Sequence, residues 1–270
     1  MMRIIRKLSR LIYAIYHDRR LLANLAHQDF KRRFAGSYFG MLWGFINPML
    51  TMTVYWLVFQ FGFRTGDVGE IPFVLWFLCG IVPWLFFSEA LSSASNSFLE
   101  YSYLVKKVVF NVNILPLVKI FSCMRTHFFF IALVALVCCC LGYWPSLYWL
   151  QLPYYLFCAV CLLFAISLTF ASVIVFFRDL NQIIGIILLI GMWGTPIAWN
   201  LTVFPESIHV FFKMNPIYYI VEGYRDCFVQ HIWFWQKPNL SVFFWMLVGF
   251  LLLLGAFFYD RLRQSFADFL

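Results

Sequence analysis

Trp43, Tyr55, Trp56, Trp193 and Trp199 lie along long apolar runs, where an interfacial belt of tryptophan and tyrosine would not put them. A sugar ring presents apolar C–H faces that stack on aromatic faces, so a path lined this way carries a polysaccharide without holding it tightly. Trp76 and Trp84 belong to the same group, in a chain that is 22% aromatic with 34 phenylalanines. Packing against neighbouring helices is the other role open to each ring. Tyr143, Trp144, Tyr148 and Trp149 need no more than the interfacial one.

Groups that make or break bonds are missing. The chain has no H-E-x-x-H, no G-x-S-x-G and no phosphate-cradling G-x-x-x-x-G-K-[S/T], and its five histidines are scattered. No catalytic residue and no metal site is expected. Cys158 and Cys161 form a C-x-x-C, but no second ligand pair follows, so seven of the eight cysteines read as small buried hydrophobes. Cys227 alone falls in a long loop, as a free thiol. An ion-driven transporter carries ionisable groups at mid-membrane depth. The fourth to sixth apolar runs have none in their interiors, while Glu89, Lys119, Arg125 and His127 are placed toward the inner ends of the second and third. Uphill movement through this chain therefore needs energy from another one.

Composition sets the elements that must position the aromatics. With 63% hydrophobic and 12% charged residues, and a mean hydropathy of +0.82, the chain is an all-α integral membrane protein; soluble domains carry about 25% charged residues. Six spans are predicted at about 38–61, 72–92, 117–141, 153–177, 180–200 and 240–259. Asn47-Pro48 should interrupt the first, and Gly80 with Pro83 should kink the second. From Leu180 to Pro205 there is no charged side chain, and Arg178-Asp179 must turn the chain back between spans 4 and 5, with Asp179 accepting from the free N–H groups of the second helix. Gly191, Gly194, Thr195 and Pro196 weaken that helix where Trp193 and Trp199 are placed, which predicts a bend or re-entrant turn there.

Residues 1–35 are basic and amphipathic. Ile4, Ile5, Leu8, Leu11, Ile12 and Ile15 repeat at helical spacing, as in a helix lying among lipid headgroups, and Asp18 starts a second short helix into Lys31-Arg32-Arg33. A plain orientation anchor and an interfacial helix that touches a partner both fit. The start MMRIIRKLSR precedes only LIYAIY before more charge, too short for a signal-peptide core, so the N-terminus is expected to be retained. With both termini cytoplasmic, the inside collects fourteen basic residues and the outside four. The net charge of +8 is thus a topology signal rather than a nucleic-acid one. Between spans 2 and 3, Phe98, Leu99, Tyr101, Leu104 and Val105 share one face of a short helix outside the bilayer. In the segment 201–239, Pro205-Glu206 and Asn215-Pro216 are helix starts. Ile217, Ile220, Val221, Tyr224 and Phe228 line one side of the second helix, with Glu222, Arg225 and Asp226 on the other. Two helices dipping into the outer leaflet, or lying on the surface, satisfy this pattern.

From end to end the chain carries, in this order, DFKRRFAGSYFGMLWGFINPML, GIVPWLFFSEAL, YLVKKVVFNVNILPL, FFRDL, GTPIAW, NPIYYIVEGYRD and RQSFADFL. In the order and spacing of these segments it resembles the membrane subunits of ABC polysaccharide exporters, most of all O-antigen exporters, with capsule and teichoic-acid exporters as cousins. The resemblance implies a homodimer of six-span permeases joined to two copies of a separate ATPase, which binds ATP and Mg; no cofactor belongs to this chain. The cargo would be a lipid-linked polysaccharide crossing the bacterial inner membrane. Residues 96–108, with Phe98, Leu99, Tyr101, Leu104, Lys106 and Lys107, would be the coupling helix that docks on the ATPase. Arg178 and Asp179 would form a cytoplasmic hairpin, and Asn215, Pro216, Tyr224 and Arg225 would belong to periplasmic gate helices. Facing surfaces of spans 1 and 5 would make the conduit. Lys31, Arg32 and Arg33 could meet the phosphate of a lipid linker, or serve only to orient the chain. Asn111 stands where relatives carry a proline after Phe110, which should loosen the start of span 3. A permease for drugs or lipids, and a multipass enzyme acting on lipid-linked sugars, are the alternatives.

Overall fold

A computed structural model describes residues 18–33, 38–105 and 112–269. The first amphipathic stretch, Ile4 to Ile15, lies outside the described residues, as do Lys106, Lys107, Phe110 and Asn111. The described chain is helical with no β-sheet; its one isolated bridge joins Val68 and Ile71. Helix α1, Arg19–Arg33, leads to α2, Trp43–Leu57, and then α3, Phe73–Ser95. Two single turns follow, α4 over Ser97–Glu100 and α5 over Ser102–Val105. The long helices α6, Leu115–Cys140, and α7, Leu152–Ile174, precede the short α8, Leu180–Trp193. Helices α9, Glu206–Lys213, and α10, Pro216–Arg225, come before α11, Pro238–Leu262, and the terminal turn α12, Phe266–Phe269.

Among the described residues, five helical runs are long and apolar enough to cross a membrane: Gly40–Gly62, Phe73–Ser95, Val112–Cys140, Leu147–Ile174 and Pro238–Ser265. Helix α8 is not. Its 14 residues rise only about 21 Å, short of a hydrocarbon core of about 30 Å. The predicted span 180–200 therefore stops at Trp193: Gly194 and Pro196 withhold helical order, and residues 195–198 are buried in protein instead of continuing through lipid.

The centre of the bundle is α3. Phe73, Leu75, Phe77, Cys79, Ile81 and Ala90 on its different sides are all at most 1% exposed, because α6, α7, α10 and α2 surround it. Helices with apolar residues all round belong in such a position. Helix α7 and α11 begin at the same end of the bundle: Trp245 Nε1 donates to Tyr154 OH at 3.1 Å. At the other end Phe176, just after α7, meets Phe266 at 6.0 Å and Phe269 at 4.7 Å.

The interruption expected at Asn47-Pro48 is absent. Helix α2 runs through Pro48, and α3 likewise runs unbroken through Pro83, as a kinked helix also does. A helical proline forfeits one hydrogen bond and bends the helix instead of ending it when the flanking turns are intact, and apolar surroundings favour keeping every other bond. The stretch after span 2 also differs from expectation. Its first residues extend α3 to Ser95, and residues 97–105 form two turns separated at Tyr101 in place of one helix.

Candidate functional site

At the end of the bundle carrying α1, α4 and α5, the buried stripe of α1 is Leu22, Ala26, Asp29 and Phe30. This is helical spacing with a carboxylate in it, and the stripe faces α6. A buried carboxylate requires charge and hydrogen-bond partners. Lys119, in the first turns of α6, supplies one: its Nζ lies 2.6 Å from Asp29 Oδ1 and 2.5 Å from Glu100 Oε2 at the end of α4. Tyr101 donates its hydroxyl to Asp29 Oδ1 at 2.8 Å. Burial above all, then the Asp29 carboxylate, pushes the Tyr101 phenol above its ordinary pKa, so it remains a donor.

Two further ties hold α1. Arg33 Nη1 lies 2.5 Å from Glu89 on α3 and donates to Cys123 Sγ on α6 at 3.4 Å. Arg125 Nη1 donates to His27 Nδ1 at 2.6 Å. The Lys31 ammonium most, then desolvation and the Arg125 guanidinium, lowers the His27 pKa, so the ring is neutral and accepts. Of the basic triplet, Lys31 and Arg32 stand exposed while Arg33 is engaged with Glu89.

The expected ATPase-facing residues divide. Phe98 is buried against Tyr259 and Phe266, and Tyr101 is buried against Asp29, so both face into this chain. Leu99 and Leu104 are half-buried, and Glu100 and Tyr103 are the exposed side chains of α4 and α5. At the hairpin, Arg178 and Asp179 are exposed. Asp179 occupies the N-cap position of α8, but its side chain makes no cap hydrogen bond; its main-chain carbonyl accepts from Gln182 and Ile183. In helical backbone geometry, φ −66° and ψ −14°, that carboxylate does not reach back to the N–H groups.

At the opposite end α10 begins as its sequence predicts. Asn215 Oδ1 accepts from the Ile217 N–H at 3.0 Å, and Pro216 takes the first turn, where no N–H is needed. Asn215 Nδ2 also donates to Thr195 Oγ1 at 2.8 Å, and that hydroxyl donates to the Gly191 carbonyl at 2.7 Å. The start of α10 is thereby fastened to the end of α8.

The polar side of α10 is buried, contrary to its amphipathic pattern. Arg225 is 0% exposed. Its guanidinium lies 3.6 Å from the Trp76 ring centroid, and Nη1, Nη2 and Nε donate to Glu222 at 2.7 Å, the Ile197 carbonyl at 2.9 Å and the Trp76 carbonyl at 3.4 Å. The unwound stretch after α8 offers a carbonyl that a continuous helix would have used, which is why the charge is tolerated inside. Gly80 makes room, since a Cβ there would lie 2.9 Å from Nη2. Asp226 is buried too, with both oxygens 2.7 Å from Lys237 Nζ. Cys227 is buried in the wide helical turn Asp226–Gln230 and not in a loop, although its thiol is free. A crevice of about 410 Å³ opens beside α10, lined by Trp76, Tyr218, Glu222, Asn200 and Gln230 among others.

Tyr224 reaches His127, whose Nε2 is 2.7 Å from the phenol oxygen and whose ring stacks on Phe86 at 4.4 Å. His127 lies near the middle of α6, not toward its inner end; the helix begins at Leu115, so residue 127 is already more than three turns in.

The aromatic set is distributed along two sparsely covered elements. Helix α2 buries only Gly44 and Met52, and α8 only Ile184. Trp43 is exposed, Tyr55 and Trp56 are half-buried, and the buried Trp56 Nε1 has no hydrogen-bond partner. Trp193 is 52% exposed and lies 6.4 Å from Phe59, so the two elements meet there. Trp199 donates Nε1 to the Trp193 carbonyl at 3.2 Å while its ring packs on Phe204 and Phe212. Gly191 lets α8 close on α3, where a Cβ would lie 2.9 Å from Trp84 Cη2. Trp43 is not part of the Trp193–Trp199 group. Sequence reasoning does not find Asp29 or Glu100 and places Glu222 only on the polar side of its helix; the one local signal is a carboxylate inside the apolar stripe of α1.

The described chain is thus helical and of membrane type, with buried ionic ties at both ends and two sparsely covered aromatic helices. Residues 20–229 match the family described as ABC-2 type transporter, and the chain belongs to that family. It is similar to an O-antigen export system permease protein RfbA of Klebsiella pneumoniae, 27% identical over 256 residues, covering 93% of this chain and 95% of the relative. It is also similar to the protein of the same name from Myxococcus xanthus, 28% identical over 224 residues, covering 82% of this chain and 85% of that one.

Proposed function

We propose that this chain is the membrane-spanning subunit of an ATP-driven exporter that moves a lipid-linked polysaccharide of O-antigen type from the cytoplasm to the periplasmic side of the bacterial inner membrane. The observation that carries the reading is similarity along almost the whole length to permeases named for O-antigen export. Deleting the gene in its host should trap lipid-linked polymer inside the cell and strip the surface glycan. An unchanged surface glycan would sink the proposal.

In this reading the chain crosses six times. The shared starting end of α7 and α11 supports it, because the chain must return across the membrane between them, and α8 with the buried residues after it follows directly on the far end of α7. Both termini lie in the cytoplasm, as the fourteen-to-four distribution of basic residues favours. Helices α9 and α10 re-enter from the periplasmic side as outer gate elements, with Asn215, Pro216, Tyr224 and Arg225 fixing α10.

Two copies of the chain face each other through the helical run Gly40–Gly62 and α8, which leave Trp43, Leu50, Val54, Phe61, Ile190 and Trp193 uncovered. Tyr55, Trp56 and Trp199 complete the sugar-stacking path. Two copies of a separate ATPase, holding ATP and Mg, dock below on Glu100, Tyr103 and the neighbouring Leu99, Leu104, Lys106 and Lys107, with the Arg178-Asp179 hairpin alongside. Lys31 and Arg32 meet the linker phosphate at the membrane surface. The Lys31→Gln/Arg32→Gln pair, which spares the Arg33–Glu89 contact, is expected to slow export at least threefold with insertion unchanged. Export at the normal rate would reduce these side chains to orientation signals.

A further inference from the structure

Asp29 on α1 and the turns α4 and α5 are joined twice. One tie is direct, the Tyr101 hydroxyl on Asp29 Oδ1 at 2.8 Å. The other passes through Lys119, whose Nζ bridges the same Asp29 oxygen at 2.6 Å and Glu100 at 2.5 Å. The three groups differ in exposure in a telling way. Asp29 and Lys119 side chains are 8% and 6% exposed, whereas Glu100 is 52% exposed on the surface that α4 presents. A charge pair that only stabilised α1 against α6 would need neither Glu100 nor Tyr101. The arrangement connects a solvent-facing carboxylate to a buried one across 71 residues of sequence, through an ammonium that three donors make able to hold both.

We propose that Lys119 is a positioning residue that makes α1 move with α4 and α5, so that a displacement imposed on the coupling turns is passed to the interfacial helix and to Lys31 and Arg32 at its end. This rests on the export reading, which supplies the push. Asp29 lies one turn before Arg33, so rotation or tilt of α1 at Asp29 carries the basic triplet with it. In the low-dielectric setting of the Asp29–Lys119 contact the pair resists separation, and breaking it would leave a buried charge. Displacement of α4 is therefore transmitted, not absorbed. The entrance of the conduit would then be rearranged by the same stroke that opens its interior.

The test severs both ties while leaving the buried pair intact. In the full complex of this chain with its ATPase, reconstituted in nanodiscs, hydrogen exchange is followed over peptides 19–33 and 97–105 with and without ATP trapped by vanadate. In the wild type, exchange in both peptides should change on trapping. In Glu100→Ala/Tyr101→Phe, the change over 97–105 should persist while the change over 19–33 falls at least threefold, and polymer exported per ATP hydrolysed in vesicles should fall at least fivefold. An α1 response as large in the variant as in the wild type overturns the proposal, and so does a wild-type complex that exports polymer with no response over 19–33. No ATP-dependent response in either peptide, together with no export, overturns the export reading as well.

Discussion

Arg225→Met should lower the apparent unfolding midpoint of the purified protein by about 10 °C and abolish export. The guanidinium is fully buried and its contacts are made to three different parts of the chain: Glu222 on its own helix, the Ile197 carbonyl beyond α8, and the face and carbonyl of Trp76 on α3. Methionine has similar length and none of the donors, so Glu222 loses its partner and the Ile197 carbonyl is left unsatisfied. Removing one member of a buried ion pair costs about 3–5 kcal/mol, a large share of a total stability of about 5–15 kcal/mol, and about 1 kcal/mol corresponds to roughly 2–4 °C in a chain of this size. Arg225→Lys keeps the charge but not the planar fork, and one ammonium cannot address all the acceptors in their present directions. An intermediate loss is expected. A methionine variant melting within 2 °C of the wild type would mean that the unwound segment after α8 is held by something else.

Gly223→Ala should be nearly as damaging for the opposite reason. A Cβ on residue 223 would lie 2.1 Å from Tyr155 Cε1 and 2.2 Å from Cδ1, inside the ring's own volume. Tyr155 is 1% exposed and bordered by Tyr154 and Tyr219, so the ring has nowhere to swing. Either α10 retreats from α7 or the tyrosine is expelled from its rotamer, and overpacking of this degree costs about 3 kcal/mol or more. The cause is checked by a double-mutant cycle in thermal unfolding. Tyr155→Ala leaves a cavity, and adding Gly223→Ala to it should cost at least about 1 kcal/mol less than in the wild type. Additive losses would rule out the clash as the mechanism.

What was legible in the sequence was local. Asn215-Pro216 and Pro205-Glu206 announced helix starts because capping involves residues within one turn, and both helices begin there. Gly191 to Pro196 announced the end of α8 for the same reason, though not that the helix would be too short to cross the bilayer unaided. The family resemblance followed from segment order along nearly the whole chain. What was not legible depends on which distant residue comes near. Asp29 and Lys119 are 90 residues apart, and Arg225 and Trp76 are 149 apart. No periodicity reports such pairs. The pattern placed Arg225 and Asp226 on a wet face because their partners, a main-chain carbonyl, an indole face and Lys237, carry no sequence signature. His127 was misplaced by depth because the start of α6 sets the count. Helical apolar spacing predicts one helix for the coupling stretch, but Phe98 and Tyr101 are spent on contacts inside the chain.

In the proposed function the chain is a passive half of a conduit, driven through its cytoplasmic turns by another protein. Inverted inner-membrane vesicles containing this chain, loaded from outside with lipid-linked polymer, test it most directly by asking how much polymer becomes protected from an added glycosidase. Protection is expected only when the ATPase chain and ATP are both present, and to vanish with an ATPase unable to hydrolyse nucleotide. Protection that builds up with this chain alone would contradict the account.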